Sequence, residues 1–163
     1  MKKIIYVLAM SLFFMPMLSI AQDKPGSEEV KKVIDYYLYG GGKGVVPMEA
    51  KFCGEVALEG ENKNECVSVL SAQSIMKNQE AYLWMNFMVP AGEQAKILLQ
   101  YSRDNMVRDV DTIAISSSIR YRTWKRVPTN KAGTWNVMIL QEMPKSDVEV
   151  VQLQYSVVDE NPE

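Results

Sequence analysis

From Met48 onward, apolar residues recur mainly at every second position, in short segments separated by Gly, Pro, Asn and Asp. A period of two sends successive side chains to opposite faces of an extended chain, so each segment has one face to bury and needs a second layer to bury it against. Eight segments follow this pattern: Glu49 to Leu58, Cys66 toward Met76, Ala81 to Val89, Ala95 to Ser102, Val107 to Ser116, Ile119 to Trp124, Trp135 to Leu140 and Val148 to Val158. Polar loops or turns separate them at Glu59 to Glu65, Lys77 to Gln79, Pro90 to Gly92, Arg103 to Asn105, Ser116 to Ser118, Pro128 to Gly133 and Glu142 to Asp147. Seven or eight short strands at near-regular spacing predict an all-β antiparallel β-sandwich, with a small closed β-barrel as the alternative.

The segments differ in how they are expected to be covered. In Ala81 to Val89, Leu83, Met85, Phe87 and Val89 share one face, and Tyr82, Trp84, Asn86 and Met88 share the other. Both faces are largely apolar, which predicts a central strand covered on both sides. Val148 to Val158 alternates cleanly and predicts an outer strand with one wet face. Trp124 and Trp135 flank the corner at Pro128 to Gly133. Two indoles on one turn predict a packed unit around which the other layers assemble, with Trp84, Trp124 and Trp135 as core anchors.

The N-terminal part reads differently. Lys2 and Lys3 precede an uncharged apolar run, Ile4 to Leu18, and Ser19-Ile20-Ala21 supplies small residues where a signal peptidase reads. Residues 1–21 are therefore expected to be a signal peptide cut before Gln22. A lipoprotein-type start is not expected, because the residue after the cut is not Cys. Residues 22–47 read as a polar leader, an amphipathic helix and a Gly-rich connector, and residues 48–163 as the sandwich domain. Ser27 suits an N-cap, with Glu28 and Glu29 in the first turn. Val30, Val33, Ile34, Tyr37 and Leu38 form one stripe at helical spacing, so a short helix from Ser27 to Tyr39 is expected to dock on the domain. Gly40 to Gly44 resembles a phosphate loop only in composition. It follows a helix and leads into extended chain, the reverse of what phosphate binding needs, so a flexible connector is expected.

Composition narrows the functional classes. Without Lys2 and Lys3 the chain carries 16 basic and 20 acidic residues, a net charge of −4, which gives no general case for nucleic acid. There is no His, so Ser-His-Asp or Cys-His catalysis and His-built zinc sites are excluded in their usual forms. Cys53 and Cys66 are the only two cysteines, and in an oxidising compartment such a pair is expected to form a disulfide.

Cys53, Cys66, Trp84, Arg122-Thr123-Trp124 and Gly133-x-Trp135-x-Val137 together resemble a group of uncharacterised bacterial exported proteins. These share an upstream cysteine, an Arg-Thr-Trp and a Gly-x-Trp-x-Val. Tyr36-Tyr37-x-x-Gly40 and Met88-Val89-Pro90-Ala91-Gly92 extend the similarity over nearly the whole mature chain. The resemblance implies an immunoglobulin-like domain of unknown function and export, and it carries no activity with it.

The sharpest surface feature is Arg120, Arg122, Trp124 and Arg126 at alternate positions. On a strand they line one face, where guanidinium groups stack on an indole and fork onto carboxylate or phosphate. They are a candidate binding stripe, or else braces for Asp109 and Asp111 on a neighbouring strand. Glu80, Asp104, Asp109, Asp111 and Glu142 would serve a carboxylate hydrolase only if two of them faced one cleft. Asp104, Asn105, Asp109 and Asp111 lack the Gly and distal Glu of a calcium loop. Met48, Met76, Met85, Met88, Met106, Met138 and Met143 form no Met-x-x-Met cluster in a polar loop, and Met85 and Met88 fall on opposite faces of their strand, so they read as core filling and not as copper ligands. No cofactor is expected. The chain is expected to be a non-catalytic periplasmic or secreted module of the cell envelope. Its partner would be a protein or an anionic envelope component, with no membrane span after cleavage. A structural subunit that shares the Val148 to Val158 strand with copies of itself is the alternative.

Overall fold

The computed structural model describes residues 24–159 apart from 41 and 43, so the expected signal segment lies outside the described residues. It contains α1 (Ser27–Ile34), continued by a π-helical turn (Asp35–Tyr39), and seven strands. These are β1 (Val46–Val56), β2 (Cys66–Val69), β3 (Ile75–Met76), β4 (Tyr82–Arg103), β5 (Met106–Arg126), β6 (Gly133–Gln141) and β7 (Val148–Val158).

The spine is the β4–β5 hairpin. Its strands are 22 and 21 residues long and meet at Asp104 and Asn105, both at positive φ (56° and 58°), which suits a tight two-residue turn. The turn expected at residues 90–92 and the bend expected at Ser116-Ser117-Ser118 do not end these strands. Val89 pairs with Ser118 and Gln94 with Ser116, so residues 90–93 bulge opposite Ser117. Gly92, at φ +81°, supplies the conformation that the bulge requires. Pro90 is tolerated there because a bulge has ladder groups to spare.

The bulge lets one hydrogen-bonded sheet serve as two layers. The first half of β4 pairs with β1, and its second half pairs with β6. Layer one is β2, β1, the first half of β4 and the second half of β5. Layer two is the first half of β5, the second half of β4, then β6, β7 and β3. Pairing is antiparallel except between β3 and β7. The result is an all-β sandwich, not a closed barrel. Phe52, Leu83, Met85 and Phe87 from layer one form a single cluster with Ile97, Leu99, Tyr101, Val137, Ile139 and Tyr155 from layer two. The Phe52 and Tyr155 rings meet across the interface at 5.0 Å. Each such buried side chain contributes roughly 1.5–3 kcal/mol.

The two tryptophans of the expected packed unit lie in different places. Trp135 sits in the inter-layer core at 3 % exposure, stacked on Tyr155 at 6.1 Å, with Nε1 donating to the Lys131 carbonyl. Tyr155 in turn donates its hydroxyl to the Pro128 carbonyl, so the two rings hold the 128–133 corner from beneath. Trp124 is only half-buried and lies on the outer face of layer one. It is not an inter-layer core anchor, because the Trp84–Trp124 register places it opposite Trp84, and even-numbered positions of this half of β4 point outward.

The second face of the 81–89 segment is covered as its sequence requires. Trp84, at 2 % exposure, packs with Cys53 and Val56, and with half-buried Cys66, Tyr82 and Trp124. The 57–65 loop closes over this patch, and Trp84 Nε1 donates to the Asn64 carbonyl at 2.6 Å. A Cys53–Cys66 disulfide ties β1 to β2 at the root of that loop. At the other end of the face, α1 lies against Met48, Met88 and Ile119 around an apolar cavity of about 210 Å³. Gly26 rather than Ser27 is the N-cap, because the Glu29 carboxylate reaches back to the Gly26 N–H at 2.8 Å. The connector is pinned at its end. Val45 N–H donates to Gln141 Oε1 at 3.0 Å, Tyr37 donates its hydroxyl to the Gly44 carbonyl, and a side chain at Gly44 would strike Gln141.

Candidate functional site

The register places Arg122, Trp124 and Arg126 opposite Asn86, Trp84 and Tyr82, on the outer face of layer one. Arg120 falls where the β4–β5 register slips between Phe87 and Val89. The stripe therefore exists, but its members do different things. Arg120 forks onto Glu29 of α1, with Nε to Oε1 at 2.9 Å and Nη2 to Oε2 at 2.8 Å. Arg122 pairs with Glu65 of the 57–65 loop at 2.9 Å. Trp124 meets the Tyr82 ring edge-on at 5.1 Å. Asp109 and Asp111 are not the partners, because they sit on the first half of β5, in the opposite layer. Asp111 is held by Lys125 at 2.9 Å, a bridge across the mouth between the layers.

Arg126 is the member left over. It is exposed at the end of β5 and lines a cleft of about 490 Å³ with Asn78, Asp109, Val127, Pro128, Thr129 and Asn130. A second cleft of about 240 Å³ shares Asp109, Pro128 and Asn130 as walls and adds Arg103, Arg108, Lys131 and Trp135. Together they form a groove beside the first half of β5, walled by four cations and one carboxylate. Arg103 is structural here: it lies over the Trp135 ring at 5.3 Å and bonds to Asp104 and the Ala132 carbonyl. Arg108 leans toward Asp104 at 3.7 Å. Among the described residues, Arg126 and Lys131 make no ion pair. Two uncommitted cations in a concave, partly apolar wall can bind an anionic group more strongly than the same cations on a flat surface.

Of the cations of this groove only Arg126 stood out in the sequence, while Asp109 and Trp135 were marked there for other roles. Arg108 and Lys131 come from a strand start and a corner 23 residues apart, and no local spacing marks them as neighbours. The other acidic candidates disperse. Glu80 accepts from the Tyr82 hydroxyl, Asp109 and Asp111 cap the N–H groups of Val110 and Thr112 at 2.9 and 2.8 Å, and Glu142 pairs with Lys96. Among the described residues no group of His, Cys, Asp and Glu is placed to hold a metal ion. Met85 lies in the inter-layer core, whereas Met48 and Met88 face α1.

The electrostatics follow this geometry. Glu29 is held at about 2, well below its usual 4.5, first by the Arg120 hydrogen bond and then by the Gly26 N–H. Burial pushes the Tyr101 and Tyr155 hydroxyls far above the usual phenol range, and Asp109 adds to both shifts. The Tyr101 hydroxyl is buried without a hydrogen-bond partner among the described residues. No protein-family model matches the chain, and no curated protein matches it significantly.

Proposed function

We propose that this protein is a non-catalytic exported β-sandwich that acts as a binding or assembly module in the cell envelope, with the groove beside β5 as its binding face. The observation that carries this reading is the pair Arg126 and Lys131, which line two adjoining clefts with Asp109, Pro128 and Asn130 as common walls and make no ion pair among the described residues. The rest of the basic stripe is spent internally on Glu29 and Glu65. Export is supported by the signal-like residues 1–21 and by the Cys53–Cys66 bond, a kind of bond that persists in oxidising compartments. The strand-sharing alternative rests on the second edge of β7, which β3 covers only at Val157 and Val158; size-exclusion chromatography of wild type and a chain lacking Val148 to Val158 separates the two readings.

Two measurements test the proposal. Cell fractionation with N-terminal sequencing should recover the protein outside the cytoplasm, starting at Gln22; recovery from the cytoplasm with residues 1–21 intact would defeat the export claim. Immobilised wild type and an R108A/R126A/K131A variant, exposed to solubilised envelope, should differ in the material they retain. Equal retention would remove the groove as the binding face.

A further inference from the structure

We infer that the groove accepts an extended acidic peptide segment, with carboxylates on Arg126 and Lys131 and the peptide backbone against Asp109, Asn78 and Asn130. This inference rests on the groove being the binding face and adds the class of ligand. Charge complementarity is the first argument: the two cations without ion pairs lie in adjoining clefts with three walls in common, so an anion in each would be held by one continuous ligand. The second is the carboxylate among the cations. Asp109 lines both clefts, and one of its oxygens is already taken by the Val110 N–H. Its remaining oxygen can accept from an N–H donor, which a peptide backbone supplies. The third is the pair of side-chain amides, Asn78 and Asn130, which offer both donors and acceptors, as a peptide backbone requires. The fourth is position. The two clefts follow one another past Asp109, so a ligand reaching both Arg126 and Lys131 is elongated. It is held by side chains and not by strand pairing, because the β5 edge at Val110 and Thr112 is capped by Asp109 and Asp111.

The test uses the full mature protein and a fluorescent peptide of alternating Glu and Val. Its Gln–Val counterpart serves as control, and anisotropy is the readout. Wild type should bind the acidic peptide and not the neutral one, with affinity falling as salt rises. R126A/K131A should weaken binding by about tenfold or more, since two charge contacts are removed. K145A, on the exposed loop after β6, should leave it unchanged. Both groove substitutions are at exposed positions, so circular dichroism and melting should match wild type. No binding by wild type, or equal binding by R126A/K131A, overturns the inference. Displacement by inorganic phosphate or glucuronate as effective as by unlabelled peptide overturns it too, in favour of a general anion site. If wild type retains envelope material that R108A/R126A/K131A does not, while the acidic peptide fails to bind, the groove stands as binding face and only the ligand class falls.

Discussion

Arg120 and Glu29, 91 residues apart, are joined by two parallel hydrogen bonds of 2.9 and 2.8 Å. A planar guanidinium matches a carboxylate in this way, and the fork fixes orientation as well as distance. Two positions along, Arg122 holds Glu65 at 2.9 Å. One basic stripe on β5 thus fastens two separate covers, the helix and the 57–65 loop, onto the outer face of layer one. No residue of α1 is fully buried, so the clamp at Arg120 and the Lys32 ammonium bonded to the Met48 carbonyl do much of the positioning.

The clamp makes helix docking acid-sensitive. The folded-state value of Glu29 lies below its unfolded one, about 2 against 4.5, so its contribution is present above pH 4.5 and is lost as pH falls toward 2. Discounted for solvent screening, that contribution is about 1 kcal/mol. Urea unfolding of wild type and Glu29→Gln should therefore differ at neutral pH and converge near pH 2. A gap that stays constant with pH would show that the carboxylate charge is not the cause.

The three tryptophans should separate by burial. Trp84→Ala and Trp135→Ala each remove a fully packed indole and should cost ~3–5 kcal/mol. Trp124→Ala should cost less, ~1–2 kcal/mol, because its half-exposed ring leaves a wetter gap. Chemical denaturation ranks them, and a Trp124 variant as damaged as the other two would contradict the half-buried assignment.

Breaking the Cys53–Cys66 bond should lower stability by roughly 3 kcal/mol, the chain-entropy value for a loop of this length. The loss should be accompanied by faster hydrogen exchange in the 57–65 loop, which the bond closes. Unchanged exchange there on reduction would mean that Trp84, Asn64 and the Arg122–Glu65 pair hold the loop unaided.

The free edge of β5 is guarded by its own side chains. Asp109 and Asp111 cap the N–H groups of Val110 and Thr112, Tyr121 donates its hydroxyl to the Ala114 carbonyl, and Lys125 bridges to Asp111. Inward-pointing charge on an edge strand discourages pairing with another chain. An Asp109→Val/Asp111→Val variant should therefore form larger species than wild type at equal concentration in size-exclusion chromatography with light scattering. Identical elution would show that the edge needs no such guard.

The alternation after Met48 was enough to announce strands, a buried face for each and a two-layer solution, because period two is a property of the chain itself. The covered second face of residues 82–88 and the one wet face of β7 were legible for the same reason, and the disulfide partners because the chain has only two cysteines. Pro90, Gly92 and the three serines read as strand ends, since a bulge and a turn use the same residues. Only pairing across the hairpin shows that β4 and β5 continue through them into both layers. The stripe of Arg120, Arg122 and Arg126 was visible as a stripe, but which arginine is clamped and which is left for a ligand depends on Glu29 and Glu65. The groove depends on Arg108, Arg126 and Lys131 converging from a strand start, a strand end and a corner. Local periodicity is written in neighbouring residues and can be read from them. Convergence is set by where the folded sheet brings distant residues together, and that was decided only by the tertiary structure.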